Sequence, residues 1–480
     1  VTHYDIALIG SGSGNSFPGP EFADRSIAYI DRGVGPDRVF GGTCLNVGCI
    51  PTKMFVHTAD LAATPADSAR FGVAETLDGV DWPAIRDRIF GRIDPITEGG
   101  EEYRRSHEDN ANLTLLRGTA RFTGPRALHV DLRDGGSEEI TADEIVLGAG
   151  SRPVIPPIAG LAEARPQTSD TIMRMDRLPS SLVILGSGVI ALEMAHIFSG
   201  LGVEVSLVAR SGRLLRAADD DVSQRITDLA RDQWDVRTDV TTSSVHREDD
   251  GRVVLRGTRA GGAGEDAQDV EIRAEEILVA VGRRPNSDLL DVAAGGIATA
   301  DDGCVRVDPF QRALDADGRI VPGVWSFGDL SNPVQLKHVA NHEQRIVRRN
   351  VLTPEDPARS DTMPVPAGVF THPQIAMVGL TEREARDQGL AVRTAVQDYS
   401  SIAYGWALED TTGFAKIVVE ADSGRILGAH IIGPEATILI QLLIQAMSTG
   451  QTVSDIAAAQ YWIHPAMPEL IENALLQLVD

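Results

Sequence analysis

The chain begins with an unbroken apolar run, Ile6-Ala7-Leu8-Ile9, that stops at Gly10. A run without polar alternation predicts a strand buried on both faces, the habit of parallel sheets. The turn Gly10-Ser11-Gly12-Ser13-Gly14 follows, and a second run, Ile27-Ala28-Tyr29-Ile30, closes on Asp31. The order repeats further on. Ser181-Leu182-Val183-Ile184-Leu185 leads into Gly186-Ser187-Gly188-Val189-Ile190-Ala191, then an amphipathic helical pattern over 192–201 and a strand from Val203 to Val208. Both copies have the form of a βαβ dinucleotide site, in which a glycine-rich turn lets the pyrophosphate approach the backbone. In the first copy Gly10, Gly12 and Gly14 are the candidates to line the pyrophosphate, and Asp31 is the acid for the adenosine ribose. One such motif is a weak signal. Two predict two dinucleotides, which a single-cofactor dehydrogenase does not need.

The first copy is irregular. Asn15 stands where a third motif glycine belongs, and Phe17-Pro18-Gly19-Pro20 interrupts the helical register. Two more apolar runs, Ile145-Val146-Leu147 and Ile277-Leu278-Val279, end near Gly150 and Gly282 and are expected to close the two sheets. Residues 257–269 read as a hairpin loop. Residues 353–365, with three prolines, read as a linker. Beyond it come a strand-rich stretch from Val369 to Ile432, a helix over 436–449, and a tail around His464. The expected fold class is α/β: two Rossmann-like dinucleotide-binding domains and a C-terminal α+β domain.

Composition narrows the function. The 480 residues exceed one core, and a net charge of −25 disfavours nucleic acid and anionic membrane surfaces. No apolar run is long enough to span a membrane, and no N-terminal signal is visible ahead of the first strand. Three cysteines argue against a secreted disulfide scaffold and for a reducing cytoplasm. Lysine occurs only at 53, 337 and 416 in an arginine-rich chain.

The candidate chemistry lies in Gly41-Gly42-Thr43-Cys44-Leu45-Asn46-Val47-Gly48-Cys49-Ile50-Pro51-Thr52-Lys53. Two cysteines precede a predicted helix, with Pro51 in its first turn. A helix N-terminus lowers a thiol's pKa, which makes Cys49 the expected stable thiolate and Cys44 the one to attack an external disulfide. Half a zinc site is the rival reading, but Cys304 is the one further cysteine and no Cys/His cluster completes it. After the strand ending Val208-Ala209 comes Arg210 rather than an acid, with Arg213 and Arg216 nearby. Arginine there suits a ribose 2′-phosphate and so NADPH, with NADH still possible.

The segment at 41–53 resembles the signature of the pyridine nucleotide-disulfide oxidoreductases, the group of glutathione reductase, dihydrolipoamide dehydrogenase and mercuric reductase. The likeness covers essentially the whole chain. It is strongest to the actinobacterial subgroup that reduces mycothiol disulfide, on Gly10 to Ser16, Phe90 to Ile96, Leu336-Lys337-His338-Val339-Ala340-Asn341-His342-Glu343, Tyr404-Gly405-Trp406 and Gln460 to Pro465. The resemblance implies an FAD domain over 1–152, an NAD(P)H domain over 153–275, a central domain over 276–352 and a dimerisation domain over 353–480. It implies a homodimer whose Cys44–Cys49 disulfide is reduced through FAD, with Cys49 facing the flavin and Cys44 exchanging with a low-molecular-weight disulfide. His464 and Glu469 are implied as the acid–base pair, acting across subunits. Lys53 and Glu193 are implied as a buried pair beside the flavin. The implied FAD contacts include Gly42, Thr43, Lys53, Gly150, Asp329 and His338, with the helix beginning near Val339 facing the flavin pyrimidine. The implied nicotinamide-nucleotide contacts are Gly186, Gly188, Ile190, Arg210, Arg216 and Gly282. Dihydrolipoamide dehydrogenase stays the nearest alternative, with Arg210 against it. Glutathione reductase is weaker because of the altered first helix, and mercuric reductase would need a C-terminal cysteine pair.

Overall fold

The computed structural model describes residues 1–261 and 266–479. Its first sheet is built on Thr2–Ile9, which pairs in parallel with Ile27–Asp31 on one side and Ser137–Leu147 on the other. Leu113–Gly124 extends the sheet beyond Ile27–Asp31, and Ile320–Ser326 extends it beyond Ser137–Leu147. Ile6, Ala7 and Leu8 are fully buried, as an unbroken apolar run requires. The twelve-residue strand Leu113–Gly124 outlasts its parallel partner. Its second half turns into an antiparallel meander through Ala127–Leu132 back to Ser137–Leu147.

The first βαβ unit lacks its helix. Two short 3-10 turns, Ser13–Ser16 and Pro20–Phe22, stand in its place, because Pro18 and Pro20 remove the amide donors a helix needs. The segment is held from outside instead. Arg104, on the helix Trp82–Ser106, donates from Nε to Asn15 Oδ1 at 2.9 Å and from a terminal nitrogen to the Asn15 carbonyl. Phe17 and Phe22 stack at 4.9 Å in the core.

The second unit is regular. Four parallel strands lie in the order Glu276–Val279, Ser181–Leu185, Glu204–Val208, Asp235–Arg237, with the helix Val189–Gly200 after the glycine turn. A three-stranded antiparallel sheet, Val240–Arg247, Val253–Arg259 and Gln268–Ala274, flanks it. The loop expected over 257–269 is shorter than the sequence suggests. Gly257 pairs with Val270 and Arg259 with Gln268, so the ladder runs into both ends of that stretch, and 262–265 lie outside the described residues. The C-terminal part is a five-stranded antiparallel sheet from Pro366 to Ile432 backed by the helix Ala436–Thr449.

Two contacts bind these parts together. The helix Cys49–Ser68 crosses the helix Val189–Gly200 so closely that a Cβ on Gly200 would lie 3.0 Å from that of Ala59. The second is a buried charge cluster. Lys416, on the strand Phe414–Glu420, reaches Asp219 at 2.9 Å, Asp221 at 2.6 Å and Glu382 at 2.8 Å with its side chain only 4% exposed. Burial works to raise the Asp219 pKa. The Lys416 ammonium and the Glu382 amide outweigh it and hold the carboxyl below its ordinary range.

Lys416→Met should therefore destabilise the chain by about 3–5 kcal/mol, because Asp219 is left buried without its cation. Asp219 is depressed in the folded state, so its contribution is present above the usual carboxylate pKa and disappears as the pH falls through its folded value. Urea unfolding of both proteins between acid and neutral pH should show the difference largest at neutral pH and shrinking towards acid.

Candidate active site

The redox segment lies against the first glycine turn. Gly41 and Gly42 have φ of +100° and +75°, and a Cβ on Gly42 would come within 2.4 Å of the Gly12 Cα. No side chain fits on Gly42 at that contact. Asn46, fully buried, donates to the Phe40 and Gly42 carbonyls and accepts from the Thr97 hydroxyl at 2.6 Å. It fixes the short helix Gly42–Asn46 that carries Thr43 and Cys44. The chain then turns at Gly48 and starts the helix at Cys49.

Cys44 is half-buried and Cys49 exposed, and both are free thiols. The helix N-terminus falls at Cys49, where the sequence predicts it. Cys49 is the first helical residue, so its amide and that of Ile50 point back at the Cys44 sulfur. The Cys49 thiol donates to Cys44, which lowers the Cys44 pKa and raises that of Cys49.

The C-terminal ends of three parallel strands converge beside this pair, where open α/β sheets bind ligands. Gly10 at the end of the first strand packs on the Gly148 carbonyl, 2.2 Å from where a Cβ would stand. Gly14 faces Leu8 and Phe327 and serves the packing of the turn on the sheet rather than an open face. Gly150 has φ of +65° and open space where its side chain would be. Asp329, in the turn after Ile320–Ser326, accepts from Ser151 Oγ at 2.6 Å. Asp31 is buried beside the turn. It accepts the Ser11 amide at 3.0 Å and pairs with Arg117 at 3.2 Å, while burial raises its pKa against those two interactions. Each of its oxygens keeps a second lone pair for a ribose hydroxyl. This side-chain-free cradle with flanking carboxylates fits the diphosphate and polyol of FAD. The His338 ring does not point into it. It engages the Pro366 carbonyl at 2.8 Å, so only its backbone amide, in the first turn of the helix Lys337–Leu352, can serve a cofactor.

Lys53 and Glu193 do not form the buried ion pair expected of them. Lys53 is exposed, with its ammonium 4.3 Å over the Phe370 ring. The Phe370 amide donates to Glu193 at 3.0 Å, so this one residue stands between cation and carboxylate. Burial pushes the Glu193 pKa up to about 7, opposed by the Phe370 amide and by Lys53. At the second glycine turn, Gly186 packs on the Ala280 carbonyl, Gly188 and Gly282 face open space, and Ile190 is half-buried. Arg210 and Arg216 are exposed and without ion-pair partners among the described residues, whereas Arg213 is engaged by Asp220 at 3.2 Å.

His464 Nδ1 lies 2.5 Å from Glu469 Oε1, which leaves Nε2 facing outward. No hydrogen bond joins this pair to either cysteine within the chain among the described residues. Tyr461 and Ile463, its neighbours in the chain, are 102% and 74% exposed in the single chain. Lys337 was not singled out as a site residue, and its rarity in the sequence was the one available signal. Its Nζ donates to Ser13 Oγ at 3.1 Å, on the first glycine turn.

The family model for pyridine nucleotide-disulphide oxidoreductases matches residues 4–344, and that for the dimerisation domain of the same family matches 365–475. The chain belongs to this family. It is an NAD(P)H-dependent oxidoreductase acting on a disulfide acceptor, a flavoprotein disulfide reductase with FAD and a nicotinamide nucleotide as its cofactors. It is 47% identical over 484 residues to mycothione reductase of Mycobacterium tuberculosis, covering 99% of each chain. It is 32% identical to mercuric reductase of Shigella flexneri, over 94% of this chain and 77% of that one. To dihydrolipoyl dehydrogenase of Haloferax volcanii it is 31% identical, over 100% and 98%. Among solved structures, a Cu(II) complex of the HOCl-induced flavoprotein disulfide reductase RclA from Escherichia coli superposes with a TM-score of 0.82 at 24% identity over all of both chains, a likeness of fold. No described helix is long and apolar enough to cross a membrane.

Glu193 supplies a pH test of this oxidoreductase site. Its folded pKa is above the ordinary carboxyl value, so it favours folding when protonated, and that advantage disappears as the pH rises from about 4.5 through about 7. Glu193→Gln should remove up to about 3 kcal/mol of this pH dependence, read by denaturant unfolding of the flavin-free protein at pH 5 and pH 8. An unchanged difference between the two pH values would place the proton elsewhere.

Proposed function

We propose that this disulfide reductase takes mycothiol disulfide as its acceptor, prefers NADPH to NADH, and works in the cytoplasm as a homodimer whose active sites are shared between subunits. The observation that carries the acceptor is the 47% identity to mycothione reductase along the whole of both chains, against 31–32% for the dihydrolipoyl and mercuric enzymes. The dimer is supported by the dimerisation domain over 365–475 and by the exposed side chains of Tyr461 and Ile463 next to His464. The division into an FAD domain over 1–152, a nucleotide domain over 153–275, a central domain over 276–352 and a dimerisation domain beyond it is part of the same reading.

The residues then divide the work. Bound FAD supplies the path by which two electrons from NADPH reach the Cys44–Cys49 disulfide. Asp31, Asp329 and Gly150 would hold its ribose, ribityl and diphosphate portions. Gly186, Gly188 and Gly282 leave room for the nicotinamide nucleotide, with Arg210 and Arg216 free to pair with a 2′-phosphate. Cys44, as thiolate, attacks one sulfur of the substrate. A Cys44–sulfur bond forms, the substrate S–S bond breaks, and the electron pair leaves on the other sulfur. That thiolate takes a proton from the partner subunit's His464. Glu469 orients such an imidazole through Nδ1 and leaves Nε2 for the transfer. Cys49 then attacks the Cys44 sulfur, releases the second thiol and restores the internal disulfide.

Turnover of mycothiol, glutathione and lipoamide disulfides with each nucleotide tests the acceptor. Mycothiol disulfide with NADPH should exceed every other pair in kcat/KM by at least about a hundredfold, as discrimination through buried polar contacts allows. Better turnover of lipoamide with NADH would replace this reading by that of a dihydrolipoyl dehydrogenase. His464→Ala should slow the disulfide half-reaction by about 10²–10⁴-fold in stopped flow and leave flavin reduction by NADPH intact. Arg210→Ala with Arg216→Ala should raise the KM for NADPH by at least about tenfold while leaving that for NADH unchanged.

A further inference from the structure

Asp31 ends the strand Ile27–Asp31, and Arg117 stands directly opposite it in the parallel ladder with Leu113–Gly124. Residues paired in register present their side chains on one face of the sheet, so the register brings carboxylate and guanidinium together. The Arg117 side chain is 5% exposed and that of Asp31 7%. Arg117 Nη1 donates to Asp31 Oδ2 at 3.2 Å and lies 3.1 Å from Glu101 Oε2, and its other terminal nitrogen donates to the Arg38 carbonyl. Its Nε is buried without a hydrogen-bond partner. The Ser11 amide takes the other Asp31 oxygen at 3.0 Å. Arg117 is the one cation paired with Asp31 among the described residues. An ion pair buried this deeply, with a donor left over, adds little net stability over an apolar pair of the same size. What it does supply is a charged carboxylate fixed at both oxygens beside the first glycine turn.

We propose that Arg117 is a positioning residue of the flavin site, the cation that fixes the Asp31 carboxylate for the adenosine ribose of FAD. The inference rests on Asp31 being the acid that takes that ribose. Ribose hydroxyls can donate to both oxygens of an ionised carboxylate. A proton on Asp31 would turn one oxygen into a donor and remove the charge that strengthens both bonds. Burial pushes Asp31 towards that neutral form. The Arg117 charge is the largest influence against it, the Ser11 hydrogen bonds come next, and Glu101 works with burial. Two further groups lie near. Tyr29, on the same strand, stays neutral, its phenol pushed up first by burial and then by Asp31. Arg32, half-buried and next in the chain, interacts with Asp31 but forms no ion pair with it among the described residues. Arg117 therefore acts on FAD through Asp31, which separates it from a residue that only supports the sheet.

The test is the Kd for FAD, read as free flavin in the filtrate of the diluted holoenzyme, in a cycle of Arg117→Met, Asp31→Asn and the double variant. Arg117→Met should weaken binding by about tenfold or more, the loss of charge assistance at the ribose. On acidification it should also lose FAD at a higher pH than the parent protein, because Asp31 takes up its proton earlier. Arg117→Lys, which keeps the cation, should bind FAD more tightly than Arg117→Met. In the Asp31→Asn background, removing Arg117 should change the Kd by less than about twofold. Should Arg117→Met fail to fold, that last comparison decides, since neither protein in it leaves Asp31 unpaired. An equal loss on removing Arg117 in both backgrounds overturns the proposal, as does a tenfold loss in the Asp31→Asn background. A folded Arg117→Met protein with the parental Kd, where Asp31→Asn is weakened, also overturns it. Parental FAD binding by Asp31→Asn would instead overturn the ribose assignment on which the proposal rests.

Discussion

The redox centre depends on one backbone contact, Gly12 against Gly42. The glycine turn is anchored below by Gly10 on the Gly148 carbonyl, and the redox segment is pressed on it from above with no side chain between. That contact sets where Cys44 stands relative to the sheet and the turn. Asn46 and Thr97 then lock the short helix in this position. Position 42 needs glycine because a Cβ there would overlap backbone atoms of Gly12 that cannot move aside.

Charge around the thiol pair is arranged without a close ion pair. The helix that begins at Cys49 follows one turn after the short helix that carries Cys44. Phe370 connects two charges by offering its ring to Lys53 and its amide to Glu193. Phe370 begins just beyond the strand Pro366–Val369 of the dimerisation domain, and Glu193 lies on the nucleotide domain's helix. Three parts of the molecule therefore meet within a few residues of the cysteines. The Lys416 cluster joins the dimerisation domain to Asp219 and Asp221, beside the four-stranded parallel sheet, at a second point.

Much of this was legible in the sequence. Strands buried on both faces leave unbroken apolar runs, so both parallel sheets and their glycine turns could be read directly. The cysteine segment and the His464–Glu469 pair were legible because they are local. What the sequence did not yield depends on direction or distance in space. The amides at the start of the helix point back at Cys44, which spacing alone cannot show. Asn15 is held by a residue 89 positions away, and Lys337 lies 324 positions from Ser13. Phe370, which comes between Lys53 and Glu193, is 177 positions from the carboxylate it caps. The missing first helix was visible as a break in register, but the two aromatic rings and the guanidinium that replace it were not.

The most direct measurement of the central claim is the FAD content and visible spectrum of Gly42→Ala. The added methyl group would stand 2.4 Å from the Gly12 Cα at a φ of +75°, a conformation that only glycine adopts without strain. The contact account predicts a folded protein, with far-ultraviolet circular dichroism intact, that purifies largely without flavin and exchanges disulfides poorly. A Gly42→Ala protein with stoichiometric FAD and unimpaired turnover would contradict it.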